Sequence, residues 1–352
     1  MSITVHERPG VYSSYDASSL VSGRGSGRLV GLAAVNTVAA PGETHIITSY
    51  DRAVAAFGSE GAEGMAELIR LALKNGASGV AAVATADEAG YKAAFAQLSE
   101  VEDIAIVLCD STDTEIQKLL LDSVKAASAD RRERLALLAG AKGESVDDLI
   151  DRAKGLNSER AVLVAPGGLD QEGEDISGLT VAAAVAGALA GESDPAVPLG
   201  GAELLGLYGL EGRYGEKDLD RLILGGVTPV EQVGGTVSVV RGVTTRTATG
   251  AAADPTWRDL ATIRVVDDVI PSLRQALAAK FRRAKNTPQS RGAIRAQVVL
   301  ELEQKLSREI ITGYEDVAVS ADPEEPTRCL VDFSFTVAHG LNQIWLTAHI
   351  TV

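Results

Sequence analysis

Ile104-Ala105-Ile106-Val107-Leu108-Cys109 runs without a polar break and is followed by Asp110-Ser111-Thr112-Asp113. From Asp113 to Ala127, Ile116, Leu119, Leu120 and Val124 then recur at helical spacing. An unbroken apolar run of this length fits a strand buried on both faces. The four residues after it are helix N-capping types, with Asp110 or Ser111 expected as the cap. A buried strand feeding a helix is half of a βαβ unit, and the unit recurs along the chain. Upstream, Leu29–Val35 and Gly79–Ala84 read as strands. Helices fit Tyr50–Phe57 with Ser49 as N-cap, Glu63–Lys74 ending at Asn75-Gly76, and Glu88–Leu98. Downstream, strands at Leu135–Ala139 and Ala161–Ala165 alternate with helices at Val146–Lys154 and Leu179–Ala190. Such alternation predicts an α/β fold with a mostly parallel sheet flanked by helices.

The pattern changes after Gly226. Val233–Arg241 reads as a strand leaving the first domain, and Thr244–Asp254, rich in Thr, Ala and Gly, as a linker. Trp257–Val266 reads as a strand on Leu260, Ile263 and Val265. A helix over Asp268–Ala284 follows, with Ile270, Leu273, Leu277 and Phe281 on one face and Pro271 in its first turn. A second helix over Pro288–Arg308 has Thr287 as N-cap and Pro288 at its first position. Tyr314–Ser320, Arg328–Val337 and Gln343–Val352 read as closing strands, with His339-Gly340 in a hairpin turn. The expected division is an arm and leash over 1–28, an α/β domain over 29–243, a linker over 244–254, a smaller α+β domain over 255–342 and an arm strand over 343–352.

The two ends carry unusual strands. Ile3-Thr4-Val5-His6 alternates apolar and polar residues, and Ile344-Trp345-Leu346 to Ile350-Thr351-Val352 is apolar to the last residue. Chain ends usually fray unless something holds them, and an exposed apolar strand invites pairing. Each end is therefore expected to pair with another copy of the chain. Ile3, Val5, Val11, Tyr12, Ile344, Leu346, Ile350 and Val352 are the expected contact residues. Gly23-Arg24-Gly25-Ser26-Gly27-Arg28 resembles a phosphate loop, but a strand follows it where a nucleotide site needs a helix. It reads as part of a flexible leash.

The formal net charge of −15 is uneven. Residues 255–352 carry 12 bases and 12 acids, so the whole excess falls on 1–254. An acidic surface argues against nucleic acid as a partner. Against that background 269–300 contains no acid and seven bases: Arg274, Lys280, Arg282, Arg283, Lys285, Arg291 and Arg295. A solvated helix would use mixed charges for ion pairs, so this stretch is expected to face an acidic partner. Lys280, Arg282, Arg283 and Lys285 form its densest cluster.

Catalytic chemistry is hard to place. No His or Cys spacing matches a zinc site, no Gly-x-Ser-x-Gly elbow occurs, and the two cysteines, Cys109 and Cys329, are too few for a disulfide framework. Asp110–Asp113 lies at a strand's C-terminal end, where α/β enzymes build sites, so an enzyme with a pocket near Cys109–Asp113 is one alternative. A non-contractile shell or tube subunit is another. No signal peptide, membrane insertion, metal or other cofactor is expected.

The C-terminal residues carry a resemblance. Asp254-Pro255-Thr256-Trp257-Arg258-Asp259, Ile263-Arg264-Val265-Val266-Asp267-Asp268 and Lys285-Asn286-Thr287-Pro288 resemble the contractile tail sheath proteins of phages, bacteriocins and related contractile injection systems. Arg8-Pro9-Gly10-Val11-Tyr12 looks like that family's opening. Gly31-Leu32-Ala33, Tyr50-Asp51-Arg52-Ala53 and Phe57-Gly58 look like its entry into the α/β domain. The resemblance implies a structural, non-enzymatic subunit with a subtilisin-like but non-catalytic domain. It implies hexameric rings stacked around an inner tube, with baseplate and tail terminator components as further partners. It also implies terminal arms that add strands to neighbouring C-terminal domains, assembly in the bacterial cytoplasm and a final place in the virion or particle tail. The basic cluster is then expected to face the tube.

Overall fold

The structure, a computed structural model, describes residues 29–59 and 61–348. The expected arm residues Ile3, Val5, Val11, Tyr12, Ile350 and Val352, and the leash, lie outside the described residues. The described chain forms two compact units, one of 29–193, 197–263 and 339–348, the other of 194–196 and 264–338.

The larger unit begins with β1 (Leu29–Val35), β2 (Thr44–Ile47), α1 (Tyr50–Phe57), α2 (Met65–Lys74) and β3 (Gly79–Thr85). It continues through α3 (Tyr91–Glu100), β4 (Ile104–Cys109), α4 (Thr114–Ala129), β5 (Leu135–Ala139) and α5 (Val146–Leu156). Then come β6 (Ala161–Ala165), α6 (Leu179–Gly191), α7 (Glu216–Leu224), β7 (Val227–Val233) and β8 (Thr236–Val239). Strand order in the sheet is β2-β3-β1-β4-β5-β6-β7-β8. The six central strands run parallel, and β2 and β8 close the two edges antiparallel. The expected α/β architecture is thus present. Every residue of β3, β5 and β6 is buried, as helices on both faces require. The Ala-rich α6 packs close to α2. A Cβ at Gly187 would lie 2.2 Å from the Ala72 carbonyl oxygen, so only glycine permits that approach.

Several local readings are corrected. The expected strand over Val233–Arg241 is the second half of a hairpin: Gly234 and Gly235, with φ of 59° and 87°, turn β7 into β8. Paired glycines at positive φ are the turn chemistry of a two-residue hairpin. β2, α7 and the 227–232 part of β7 were not anticipated; β2 has only four residues, whereas α7 does bury Leu219 and Leu222 at helical spacing. The cap of α4 is Asp113, which accepts from the N–H groups of Glu115 (2.8 Å) and Ile116 (3.1 Å), rather than Asp110 or Ser111. Ser49 occupies the N-cap position of α1 as expected, but its side chain makes no capping bond.

The 244–254 segment is not loose throughout. Thr244 and Thr245 are fully buried. Thr244 Oγ1 donates to the Trp257 carbonyl, and Thr245 Oγ1 donates to the Ser158 carbonyl while accepting from the Ser158 N–H. Threonines that read as linker composition are here satisfying buried main-chain groups. Beyond them, β9 (Ala248–Thr249) and β10 (Ala252–Ala253) form a small antiparallel ribbon.

No strand spans Trp257–Val266. A single helix, α8 (Leu260–Phe281), starts there. Leu260, Ala261, Ile263, Val265, Val266, Val269, Ile270 and Leu273 are all buried. That set follows a helical repeat; sampled at three positions it mimics alternation. Pro271 consequently sits in the helix interior, not its first turn.

The smaller unit holds the rest of α8, then α9 (Pro288–Ser307), β11 (Ile311–Ala321) and β12 (Cys329–Val337). α9 starts as expected, with Thr287 Oγ1 accepting from the Ser290 N–H at 3.2 Å. Arg295 Nε donates to the Val317 carbonyl at 2.8 Å and ties α9 to β11. The Lys305 ammonium pairs with the Asp268 carboxylate, joining α9 to α8. After β12 no hairpin turn forms at His339-Gly340, because 341–348 contains no strand.

Candidate assembly surfaces

Residues 339–348 belong to the larger unit, where a Cβ on Gly340 would lie 2.7 Å from Pro198 Cβ. Asn342 Nδ2 approaches Asp259 Oδ2 at 3.5 Å. Beyond that anchor the chain is apolar and bare. Leu341, Ile344, Trp345 and Leu346 are 77%, 80%, 90% and 90% exposed. The part of the expected closing strand that is described, 343–348, is not a strand in the single chain. A strand needs a partner, and none pairs with it among the described residues. Burying one such side chain is worth about 1.5–3 kcal/mol. Ile344 and Leu346 were expected as contacts; Leu341 and Trp345 were not. Counting alternate positions from Ile344 passes over Trp345, although its size alone marks it as a contact residue.

The β11–β12 hairpin offers the complementary surface. Its register runs from Ile311↔Val337 to Ala321↔Cys329, with an irregularity between Glu315 and Ala318 where Asp316 takes a φ of 55°. Among the described residues each strand pairs only with the other, so neither outer edge carries a further strand, although the Val317 carbonyl accepts from Arg295. Phe333 and Phe335 stack with ring centroids 6.3 Å apart. Unpaired edges are the main-chain requirement for adding a strand.

The basic cluster lies at the end of α8 and just past it. Because the helix stops at Phe281, Arg282 and Arg283 occupy the following turn and Lys285 the extended connection to α9. All four bases are exposed. Lys280 Nζ donates to Gln297 Oε1 on α9. Next to Lys285, Asn286 Nδ2 donates to the carbonyls of Pro326 (2.8 Å) and Arg328 (3.1 Å) at the hairpin tip. That tip is acidic. The Glu324 N–H holds the Asp322 carboxyl below the usual carboxylate range, with Arg328 adding to the effect. The Thr327 hydroxyl does the same for Glu325. The basic turn thus lies beside an ordered acidic tip, which the composition of 269–300 alone does not reveal.

The strand-end alternative can be read residue by residue. Cys109 is buried, and burial pushes its thiol up to about 12, which keeps it protonated and unreactive. Asp110 Oδ2 accepts from the Val35 N–H at 3.0 Å, and Oδ1 accepts from the Tyr91 hydroxyl. Burial raises the Asp110 carboxyl, with the Tyr91 bond opposing the shift. Ser111 Oγ accepts from the Asp113 N–H, and Asp113 caps α4. Each of these side chains bonds to neighbouring protein groups, and together they tie the ends of β1 and β4 to α3 and α4. Among the described residues no group of three His, Cys, Asp or Glu is placed to hold a metal ion. No described helix is long and apolar enough to cross a membrane.

Comparison with known proteins follows the same lines. Residues 84–245 match the family described as phage tail sheath protein central domain, and 252–351 match phage tail sheath C-terminal domain. The tail sheath protein of Bacillus phage SP01 is 28% identical over 256 residues, covering 71% of this chain; the chain spans 43% of that relative's length. Among solved structures, the contracted helical sheath of the anti-feeding prophage superposes with a TM-score of 0.74 at 17% identity, covering 98% of this chain and 99% of that one. The contracted sheath of an extracellular contractile injection system, PVC, gives 0.70 at 15% identity, covering 99% of each chain. The sheath tail protein of Desulfitobacterium hafniense gives 0.68 at 14% identity, covering 93% of this chain and 100% of that one. With both sheath domain families matched in order and the same fold throughout, the chain belongs to the contractile tail sheath proteins.

Proposed function

We propose that this chain is the structural subunit of a contractile sheath, polymerising as stacked hexameric rings around an inner tube and contracting to drive that tube through an envelope. The observation that carries the reading is the pairing of surfaces on one molecule. An apolar segment, Leu341 to Leu346, lies bare, and a two-stranded hairpin has both edges open. A donor segment and an acceptor edge that are different surfaces make a heterologous contact, which generates an open helical polymer when the rotation does not close a ring. Residues 1–12 supply the second donor. The leash over 13–28 spans at most about 55 Å when extended, enough to reach a neighbour. Two arms and two edges let each subunit receive strands from neighbours while giving its own.

Contraction then requires two packings of the same domains, one lower in free energy, with the strands as tethers. The chain performs no catalysis and uses no nucleotide, metal or other cofactor. Its further partners are the tube protein, baseplate and terminator components. It assembles in the bacterial cytoplasm and ends in the tail of a virion or particle. The test is to remove residues 1–12, and separately to make I344D/L346D. Both variants are expected to give soluble monomers with native circular dichroism that form no sheaths by negative stain. Normal polymers from either variant would refute the strand-exchange reading.

A further inference from the structure

Within the larger unit, α2 and α6 enclose a small cavity with the 205–209 segment. α2 supplies Glu67 and Leu71, four residues apart on one helix face, and α6 supplies Thr180 at its second position. Leu169, Leu207 and the half-exposed Tyr208 complete the wall. That wall is tied in place. Asn75 Nδ2 donates to the Leu205 carbonyl at 2.9 Å, and Asn75 Oδ1 accepts from the Leu205 N–H at 2.7 Å. Arg70 Nη2 donates to the Gly206 carbonyl at 3.0 Å, and the Leu169 N–H donates to the Gly209 carbonyl at 3.1 Å. The space has room for one water-sized molecule.

One polar group on this wall is out of balance. Thr180 is 5% exposed, and its Oγ1 is buried without a hydrogen-bond partner. A helical threonine commonly turns its hydroxyl to the carbonyl four residues back. At the second position of α6 that carbonyl belongs to Ile176, ahead of the helix. Thr180 Oγ1 instead lies against Gly168, where a Cβ would come within 2.6 Å of it. Native structures pair buried hydroxyls with protein or water, because leaving one unpaired is costly. On the same cavity wall Glu67 has acceptor capacity to spare. Its Oε2 accepts from Arg70 Nε at 2.7 Å and its Oε1 from Arg70 Nη2, which leaves a lone pair on each oxygen.

We infer that one ordered water molecule bridges Thr180 and Glu67 in this cavity: the Thr180 hydroxyl donates to the water oxygen, and the water donates to the Glu67 carboxylate. The donor and the acceptor do not bond directly, yet both line one water-sized space, the geometry a bridging water serves. Two polar partners meet the minimum that a buried water needs. A larger ligand does not fit, and no cation is called for, because Arg70 already balances Glu67. Seated there, the water joins α6 to α2, and so to the segment that presents Leu205 and Tyr208 at the surface.

Urea unfolding of the full chain and a high-resolution density map of it test this together. The water should appear as a peak about 2.6–3.2 Å from both Thr180 Oγ1 and a Glu67 carboxylate oxygen. Thr180→Val keeps the shape and removes the donor. The variant is expected to lose the peak, and its folding equilibrium constant to fall about fivefold. Thr180→Ser keeps the hydroxyl and should keep the peak. The sign of the effect is diagnostic, since a dry, unpaired hydroxyl would leave Thr180→Val at least as stable as wild type. That outcome overturns the inference. So does a wild-type map in which Thr180 Oγ1 bonds directly to a protein group or faces no peak, and so does a peak that stays in place in Thr180→Val or vanishes in Thr180→Ser.

Discussion

Single residues in this molecule mostly serve the fold, and two of them allow direct tests. Asp110 is a carboxylate raised by burial yet bonded to Val35 and Tyr91. Its raised folded value means that the protonated form is the one the fold prefers. The associated stability is full below the ordinary value of 3.8 and is lost as pH rises through the folded value. Asp110→Asn keeps an acceptor for Val35 and removes the titration. Denaturant unfolding should therefore show the variant gaining on wild type as pH rises from below the ordinary carboxylate value to neutrality. Parallel pH profiles would contradict this. Thr245→Val keeps shape but removes the hydroxyl that serves both main-chain groups of Ser158 in a fully buried site. The Ser158 N–H is left without that acceptor while its carbonyl keeps the Ala161 N–H, so a loss of about 1–3 kcal/mol is expected in the unfolding free energy from urea denaturation.

At the scale of elements, α9 shows what was legible and α8 what was not. Thr287-Pro288 marks a helix start by local chemistry alone, and the structure puts the cap there. Thr287→Ala should cost about 1 kcal/mol, read as a lowered unfolding midpoint, with the helix otherwise intact. Five of the six parallel strands, β1, β3, β4, β5 and β6, were equally legible as apolar runs; β7, which carries Thr228, Pro229, Glu231 and Gln232, was not. The first half of α8 reads as a strand. Val265 and Val266 are adjacent and both buried, and the polar stripe of Arg264, Asp267 and Asp268 is narrow, so the helical repeat is visible only over the whole span to Leu273. β2 has four residues and does not rise above its surroundings; α7 does carry Leu219 and Leu222 at helical spacing, a signal the sequence held. Acid-free composition identified the basic residues but not their setting. The hairpin tip that brings acids beside Asn286 comes from 40 residues further on.

At the scale of the whole molecule, that setting decides how the tube contact should be tested. If Lys280, Arg282, Arg283 and Lys285 face an acidic tube, each exposed pair is worth about 0–1 kcal/mol, and the grip comes from repetition around the rings. Such a contact weakens with salt, since exposed charges are screened beyond about 8 Å at physiological ionic strength. Reversing all four to Glu would also set new acids near Asp322, Glu324 and Glu325, and repulsion there could disturb the connection to α9. Replacing them with Ala removes the positive charges without that repulsion. Lys280 also loses its bond to Gln297 in such a variant, so a second version retaining Lys280 isolates the turn and the extended connection. The expected outcome is a folded monomer that fails to build extended sheaths on tubes, or builds empty contracted ones, while wild-type assembly on tubes falls steeply with added salt. Normal extended sheaths from the Arg282, Arg283 and Lys285 triple alanine variant, with no change in salt response, would show that this turn is a solvated helix end and that the tube contact lies elsewhere.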